Sequence, residues 1–139
     1  MIEKPADLKL RKKYVMQIVS AKSEYQDRVP YSRYRFEFDI RVWPNVDNLD
    51  TFYDISEVFY NSGKCAKYLV EFIESATECE FSEYDSDVDF SIGAVFIGII
   101  SAKETYDRWG DIDKTFYNIE AIKPLGYYDV DDADIESDT

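Results

Sequence analysis

Hydrophobic and polar residues alternate most regularly between residues 33 and 43, where every second side chain is apolar. The apolar positions of this stretch are Tyr34, Phe36, Phe38, Ile40 and Val42. Because successive side chains of a strand point to opposite faces, a period of two predicts a strand with one core face and one charged face. This is the clearest element in the chain.

Other stretches predict four more strands and one helix. Residues 13–23, 50–58, 93–106 and 114–123 are rich in apolar and β-branched residues and are separated by turn-forming residues. Between the third and fourth of the five predicted strands, residues 63–77 change period. There Ala66, Leu69 and Ile73 recur at helical spacing, with Asn61 or Ser62 as a candidate cap. Pro124 is the expected end of the last strand.

The predicted order indicates an all-β fold with one helix. Five short strands with a helix between strands 3 and 4 are typical of the OB-fold, a small Greek-key barrel. A five-stranded α+β sheet would give the same order, so that alternative stays open. We expect an N-terminal arm over residues 1–12, the OB-fold domain over 13–126 and a disordered acidic tail over 127–139.

The net charge of −13 is concentrated in two segments. Residues 71–90 carry eight acidic side chains and no basic one, and residues 127–139 carry six acidic side chains and no basic one. The remainder of the chain is close to neutral. A basic patch can therefore exist on this acidic protein, because screening over ~8 Å in physiological salt separates distant charges.

The composition argues against an enzyme or a metalloprotein. The chain has no histidine and only two cysteines, Cys65 and Cys79, so Ser–His catalysis and a histidine-ligated metal are excluded. Asp85, Asp87 and Asp89 resemble the start of a calcium loop, but Phe90 stands where the loop needs glycine. We expect no catalytic residue, no metal and no cofactor. No apolar run reaches the ~18–20 residues of a membrane span, so we expect a cytoplasmic protein without a membrane partner.

Three stretches and the tail carry a resemblance to a known family. The stretches are YVMQIVSAKSEYQDRVPYSRYRFEFDI, NSGKCAKYLVEFIES and GAVFIGIISAKETYDRWGDIDKTFYNIEAIKPL, and the chain ends in DVDDADIESDT. In these features the chain resembles phage-encoded single-stranded-DNA-binding proteins of OB-fold type. The resemblance implies binding of single-stranded DNA without sequence preference, in phage DNA replication or recombination. It also implies a homo-oligomer.

Single-stranded DNA is held by cations along its phosphates and by rings that stack on its bases. OB-folds present such groups on strands 2 and 3 and on the loops that join strands 1–2 and 4–5. The second strand offers Arg33, Arg35, Arg41 and Trp43, the first loop offers Lys22, Tyr25, Arg28 and Tyr31, and the last hairpin offers Lys103, Tyr106, Arg108 and Trp109. The resemblance implies that these residues meet in one groove.

Ordinary structural roles compete with these assignments. The arginines of the second strand alternate with Glu37 and Asp39 and could form cross-strand ion pairs on a solvated face. Trp109 could cap one end of the barrel. The basic residues of the arm, from Lys9 to Lys13, could grip phosphate or simply be solvated.

The acidic tail has a separate expected role. By the same resemblance, its carboxylates would recruit replication or recombination proteins. They are Asp129, Asp131, Asp132, Asp134, Glu136 and Asp138.

A function of a different class is also open. A small acidic protein can mimic DNA and inhibit a host nuclease or CRISPR effector by presenting carboxylates in place of phosphates. A mimic needs rigid carboxylates spread over one face. A DNA-binding protein needs its acids separated from an exposed groove of arginines and rings.

Overall fold

The five strands and the helix follow one another as the hydrophobic pattern predicts. The computed structural model describes residues 2–27 and 32–128. Its elements are β1 (Tyr14–Gln26), β2 (Arg33–Trp43), β3 (Tyr53–Tyr60), α1 (Cys65–Thr77), a 3₁₀ turn (Asp89–Ser91), β4 (Ala94–Tyr106) and β5 (Ile112–Tyr127). The prediction of an all-β fold with one helix between strands 3 and 4 is confirmed. Within the described residues, no helix has the length and apolar character needed to cross a membrane.

The strands form one antiparallel sheet in the order β3-β2-β1-β4-β5. The first four strands have Greek-key order, because β4 returns to lie beside β1 after the β1-β2-β3 meander. In the described part of the chain the sheet is open, with β3 and β5 as its two edges. Closure into a barrel is therefore not confirmed.

The core lies between the inner face of the sheet and α1. The alternation predicted for β2 is confirmed, since Phe36, Phe38, Ile40 and Val42 are all fully buried. Phe72 of α1 packs against β2 and β4. Its ring centroid lies 5.2 Å from that of Phe38 in β2 and 5.8 Å from that of Phe96 in β4. The helix therefore covers the inner face and leaves the charged face of β2 outside.

The N-terminal arm packs onto the sheet across its two edges. The backbone N–H of Ile2 donates to the carbonyl of Tyr117 in β5, at 2.8 Å. On the other side, the Tyr53 hydroxyl of β3 donates to Asp7 Oδ2, at 2.6 Å. Ile2 and Leu8 belong to the hydrophobic core. Residues 2–8 thus fill the seam between β3 and β5 that the strands leave open.

A buried carboxylate also crosses this seam. Glu57 of β3 is fully buried, and its Oε2 accepts a hydrogen bond from the backbone N–H of Ile119 in β5, at 2.9 Å. Its Oε1 accepts from the N–H of Val58, at 3.0 Å. These bonds matter because an unpaired polar group is costly to bury. Burial raises the pKa of Glu57 above its ordinary value.

Two local predictions fail for identifiable reasons. β5 continues past Pro124 to Tyr127, because Pro124 lies on an edge strand beside a register shift, where a missing N–H is tolerated. Neither Asn61 nor Ser62 caps α1. The cap position is Lys64, which makes no side-chain capping bond, and Asn61 Oδ1 accepts instead from the backbone N–H of Tyr34, at 2.8 Å.

The buried arm predicts a clear difference between two leucines. Leu8 is 0 % exposed and Leu10 is 44 % exposed. We expect Leu8→Ala to lower the free energy of unfolding by about 2–5 kcal/mol, because it leaves a cavity in the core. The matched control, Leu10→Ala, should change it by no more than about 0.5 kcal/mol. Urea denaturation measures both, and equal effects would show that the arm does not pack as described.

The raised pKa of Glu57 predicts a pH dependence of stability. Its ordinary value is 4.5, so between that pH and the raised value the folded state holds a proton that the unfolded chain has lost. The contribution of Glu57 to stability is then greatest at low pH and falls as the pH rises through this interval. Glu57→Gln removes the titration. The unfolding free energy of the wild type minus that of the variant should therefore decrease with rising pH, and a constant difference would contradict the assignment.

Candidate nucleic-acid interface

Three predicted arginines lie along the outer face of β2, but most of the cations there already face carboxylates. Lys22 Nζ lies 2.8 Å from Glu37 Oε2, and Arg35 Nη2 lies 3.4 Å from Glu37 Oε1. Arg41 Nε lies 3.1 Å from Asp54 Oδ1 on β3. The Lys22–Glu37 and Arg41–Asp54 pairs cross antiparallel strands, and such pairs stabilise a sheet by roughly 0.2–1 kcal/mol each, whereas Arg35 and Glu37 are neighbours on one face of β2. Phosphates of DNA would have to replace these carboxylates.

The titration of Glu37 reflects this pairing. The hydrogen bond from Lys22 is the main cause that holds the pKa of Glu37 below its ordinary value, and the same bond raises the pKa of Lys22. Both groups are therefore charged at neutral pH. Ion pairing was one of two interpretations of this face that the sequence allowed. It applies to Lys22, Arg35 and Arg41.

Arg33 makes a different set of contacts. Its Nε donates to Gln26 Oε1, at 3.2 Å, and its guanidinium carbon lies 3.9 Å from the centre of the Tyr60 ring. Tyr25 pairs with Tyr34, whose ring it meets edge-on at 5.3 Å. Since Tyr34 and Arg33 are adjacent in β2 and point to opposite faces, Tyr25 and Arg33 do not share one surface.

Trp43 is held against the loop that follows β2. Its Nε1 donates to the carbonyl of Leu49, at 3.0 Å, and the ring is half-buried. Nearby, the Arg41 guanidinium lies 4.0 Å from the centre of the Phe52 ring. Trp43 is therefore a constrained side chain of the sheet and offers only part of its ring to a ligand.

The last two strands project beyond the rest of the sheet. β1 pairs with β4 over residues 14–17 and 95–98, whereas β4 stays paired with β5 as far as Tyr106. Residues 99–106 and 112–120 thus form a two-stranded ribbon, about 25 Å long at ~3.3 Å per residue. We call this segment, with its turn 107–111, the ribbon. No side chain between residues 101 and 118 is buried.

The tip of the ribbon presents an arginine stacked on an exposed tryptophan. Trp109 is 73 % exposed, and the guanidinium carbon of Arg108 lies 4.2 Å from the centre of its ring. Asp107 Oδ1 fixes the turn by accepting from the backbone N–H groups of Trp109 and Asp111, at 2.9 and 3.0 Å. Trp109 therefore does not cap the end of the sheet. It offers a ring on an ordered turn.

Tyr106 extends this surface along β4. Its ring is 61 % exposed, and its hydroxyl donates to Glu104 Oε2 at 3.1 Å, which raises the pKa of Tyr106. Lys103 is exposed on the same strand. The ribbon thus carries all four residues predicted for the last hairpin, which are Lys103, Tyr106, Arg108 and Trp109, although Lys103 alternates with Glu104 and Tyr106 along β4.

The two loops expected to form one groove leave strands that run in opposite directions. β1 and β4 are antiparallel, the β1–β2 loop follows the end of β1, and the ribbon turn follows the end of β4. Arg28 and Tyr31 of the first loop lie outside the described residues. So do the tail carboxylates Asp129, Asp131, Asp132, Asp134, Glu136 and Asp138.

Basic residues of the N-terminal arm lie beside the foot of the ribbon, which is the end where it leaves the sheet near Ile100. The sequence assigned these residues to the arm but gave them no position on the fold. The backbone N–H of Arg11 donates to the carbonyl of Ile100, at 2.9 Å. Lys9, Lys12 and Lys13 are exposed beside it. No local pattern relates residue 11 to residue 100, so sequence reasoning could identify these cations but could not place them.

The acidic segment over residues 78–90 is anchored on the core. Phe81 and Val88 are buried members of the core, and the Phe81 N–H donates to Glu74 Oε2 at 3.1 Å. The Asp89 N–H donates to Asp87 Oδ1, at 3.0 Å. Its carboxylates, all exposed, are Glu78, Glu80, Glu83, Asp85, Asp87 and Asp89. In residues 2–27 and 32–128, no three acidic or cysteine side chains gather in a way that could hold a metal ion.

In comparisons with protein-family models, with curated proteins and with solved structures, nothing matches this chain. The geometry and the charge of these surfaces therefore carry the functional proposal.

The two tryptophans should respond differently to a soluble quencher. Trp43→Phe leaves only Trp109, and Trp109→Phe leaves only Trp43. We expect acrylamide to quench the Trp109 fluorescence strongly and that of Trp43 weakly, because the first ring is exposed and the second is half-buried and hydrogen-bonded. Equal quenching of the two single-tryptophan variants would contradict the described exposure of Trp109.

Proposed function

We propose that this protein binds single-stranded DNA without sequence preference and that the ribbon is its main contact. The observation that carries the proposal is the exposed Trp109 ring, held on an ordered turn with Arg108 stacked on it. A base can stack on an aromatic ring whatever its identity, so such a ring supports binding without sequence readout.

The chemistry of the ribbon supplies both parts of such binding. Trp109 and Tyr106 offer rings for two bases, and Arg108 and Lys103 offer charge for the phosphates beside them. The outer face of β2 is a weaker candidate, because Lys22, Arg35 and Arg41 are ion-paired there. Arg33 and Tyr60 could add a contact at the end of that face.

The proposal includes a cellular setting. A protein of this kind would protect single strands during phage DNA replication or recombination, in the cytoplasm of the host cell. Its acidic tail would contact replication or recombination proteins, and the chain would act as a homo-oligomer. These elements follow from the family resemblance of the sequence.

A second candidate, mimicry of DNA by the acidic segment, is favoured by one observation. Residues 78–90 are fixed on the core by Phe81 and Val88, so their exposed carboxylates are held in place. Carboxylates in fixed positions can bind to the DNA-binding site of a nuclease or CRISPR effector in place of DNA phosphates. The anchoring of this segment keeps the alternative open.

Titration of single-tryptophan variants with oligo-dT tests the first candidate. In low salt, we expect oligo-dT to quench the Trp43→Phe variant strongly, because its remaining ring, Trp109, stacks on bases. The Trp109→Phe variant is the matched control and should respond weakly. Trp109→Ala should weaken binding by about 5- to 150-fold, equivalent to ~1–3 kcal/mol for one stacked base.

A flat titration of the wild-type protein in low salt would refute the DNA-binding proposal. The second candidate would then be tested by inhibition of a DNA nuclease. Mimicry predicts inhibition that is lost in the Glu80→Gln/Glu83→Gln double variant and kept in a variant with two glutamates changed elsewhere, Glu71→Gln/Glu120→Gln.

A further inference from the structure

A groove runs along the free edge of β4 where the ribbon leaves the sheet. β1 ends its pairing with β4 at Tyr14 and Gly98, so beyond that point β4 pairs only with β5. The arm lies beside this free edge and is tied to it by the hydrogen bond from Arg11 to Ile100. The open cavity between arm and ribbon has a volume of about 500 Å³ and is lined by Leu10, Arg11, Ala102, Lys103, Glu104 and Tyr106.

The surroundings of the groove are basic although the protein is acidic. Residues 9–13 and 103–114 together carry seven basic side chains against four acidic ones, in a chain whose net charge is −13. The groove therefore presents a local positive charge. Since exposed charges are screened within ~8 Å in physiological salt, acidic segments farther away than that weaken it little.

Among the described residues, the cations of the groove have no ion-pair partner. Within residues 2–27 and 32–128, salt bridges involve Lys22, Arg35, Arg41 and Lys67. Arg11 and Lys103 are exposed and take part in none of them. A phosphate could therefore approach these two side chains without displacing a carboxylate, in contrast to the outer face of β2.

The backbone at Arg11 is held in an unusual conformation. Its φ of 62° lies in the left-handed region, which residues other than glycine, asparagine and aspartate rarely adopt. Such strained positions often mark functional sites, and here the hydrogen bond to Ile100 holds the kink that places Arg11 at the groove.

We propose that the groove holds the sugar–phosphate backbone of a single-stranded DNA segment that continues from the ribbon tip. The inference rests on the proposed function and adds the path of the strand. Phosphates would lie near Arg11 and Lys103, and a base would lie against Tyr106. Tyr106 lines the groove and is also exposed near the tip, so one strand can stack on Trp109 and then pass into the groove.

The salt dependence of oligo-dT binding tests this path. For single strands, the slope of log K against log salt falls by about 0.7 for each phosphate contact that is lost. We expect Arg11→Asn and Lys103→Gln each to reduce the slope by about that amount and to weaken binding in low salt. Asparagine tolerates the left-handed conformation of position 11, so Arg11→Asn removes the charge without opposing the fold. Arg11→Lys should retain the wild-type slope.

The control variant is Lys67→Gln, which makes the same change in net charge on α1, and it should leave the slope unchanged. If the wild type binds oligo-dT but Arg11→Asn and Lys103→Gln both behave like Lys67→Gln, the groove is not the path and Lys103 contacts no phosphate, while binding of single-stranded DNA through Trp109, Tyr106 and Arg108 still stands. If the wild type does not bind oligo-dT at all, the proposed function fails and this inference fails with it.

Discussion

The open seam between β3 and β5 is the constraint on which the rest of the structure depends. An open sheet exposes unpaired N–H and C=O groups along both edge strands, and proteins must cover or pair them. Here the arm covers the seam through Ile2 and Asp7, and the Glu57 carboxylate receives the N–H of Ile119 across it. A buried carboxylate is an expensive way to join two strands, and burial raises its pKa.

The covered seam also decides where the basic residues of the arm lie. Once Ile2 and Leu8 are buried, the chain that follows must run back to the start of β1, and it passes the foot of the ribbon on the way. The cations between Lys9 and Lys13 are thereby placed beside β4. An arm that is essential for the core thus also supplies charge to a surface that could bind DNA.

Charge is arranged differently on the three candidate surfaces. On the outer face of β2 opposite charges neutralise one another, and on residues 78–90 carboxylates stand alone on an anchored segment. The ribbon and its groove combine exposed rings with cations outside any salt bridge of the described residues. Since binding of a polyanion is driven by phosphate contacts, the ribbon and its groove are the surface on which such binding is least opposed.

The sequence alone determined the local elements, because their signals are periodicities within a few residues. The strand β2 was predictable from its period of two, the helix α1 from its helical period, and the acidic segments from their clustered carboxylates. Tertiary structure alone decided the seam, the ion pairs of Lys22 and Arg41 and the contact between Arg11 and Ile100. Such contacts join residues far apart in the chain, and they depend on which strand edges remain free after the sheet has formed. Trp109 shows the same difference between local and tertiary information. The turn around it was predictable from neighbouring residues, and the exposure of its ring depended on the tertiary structure.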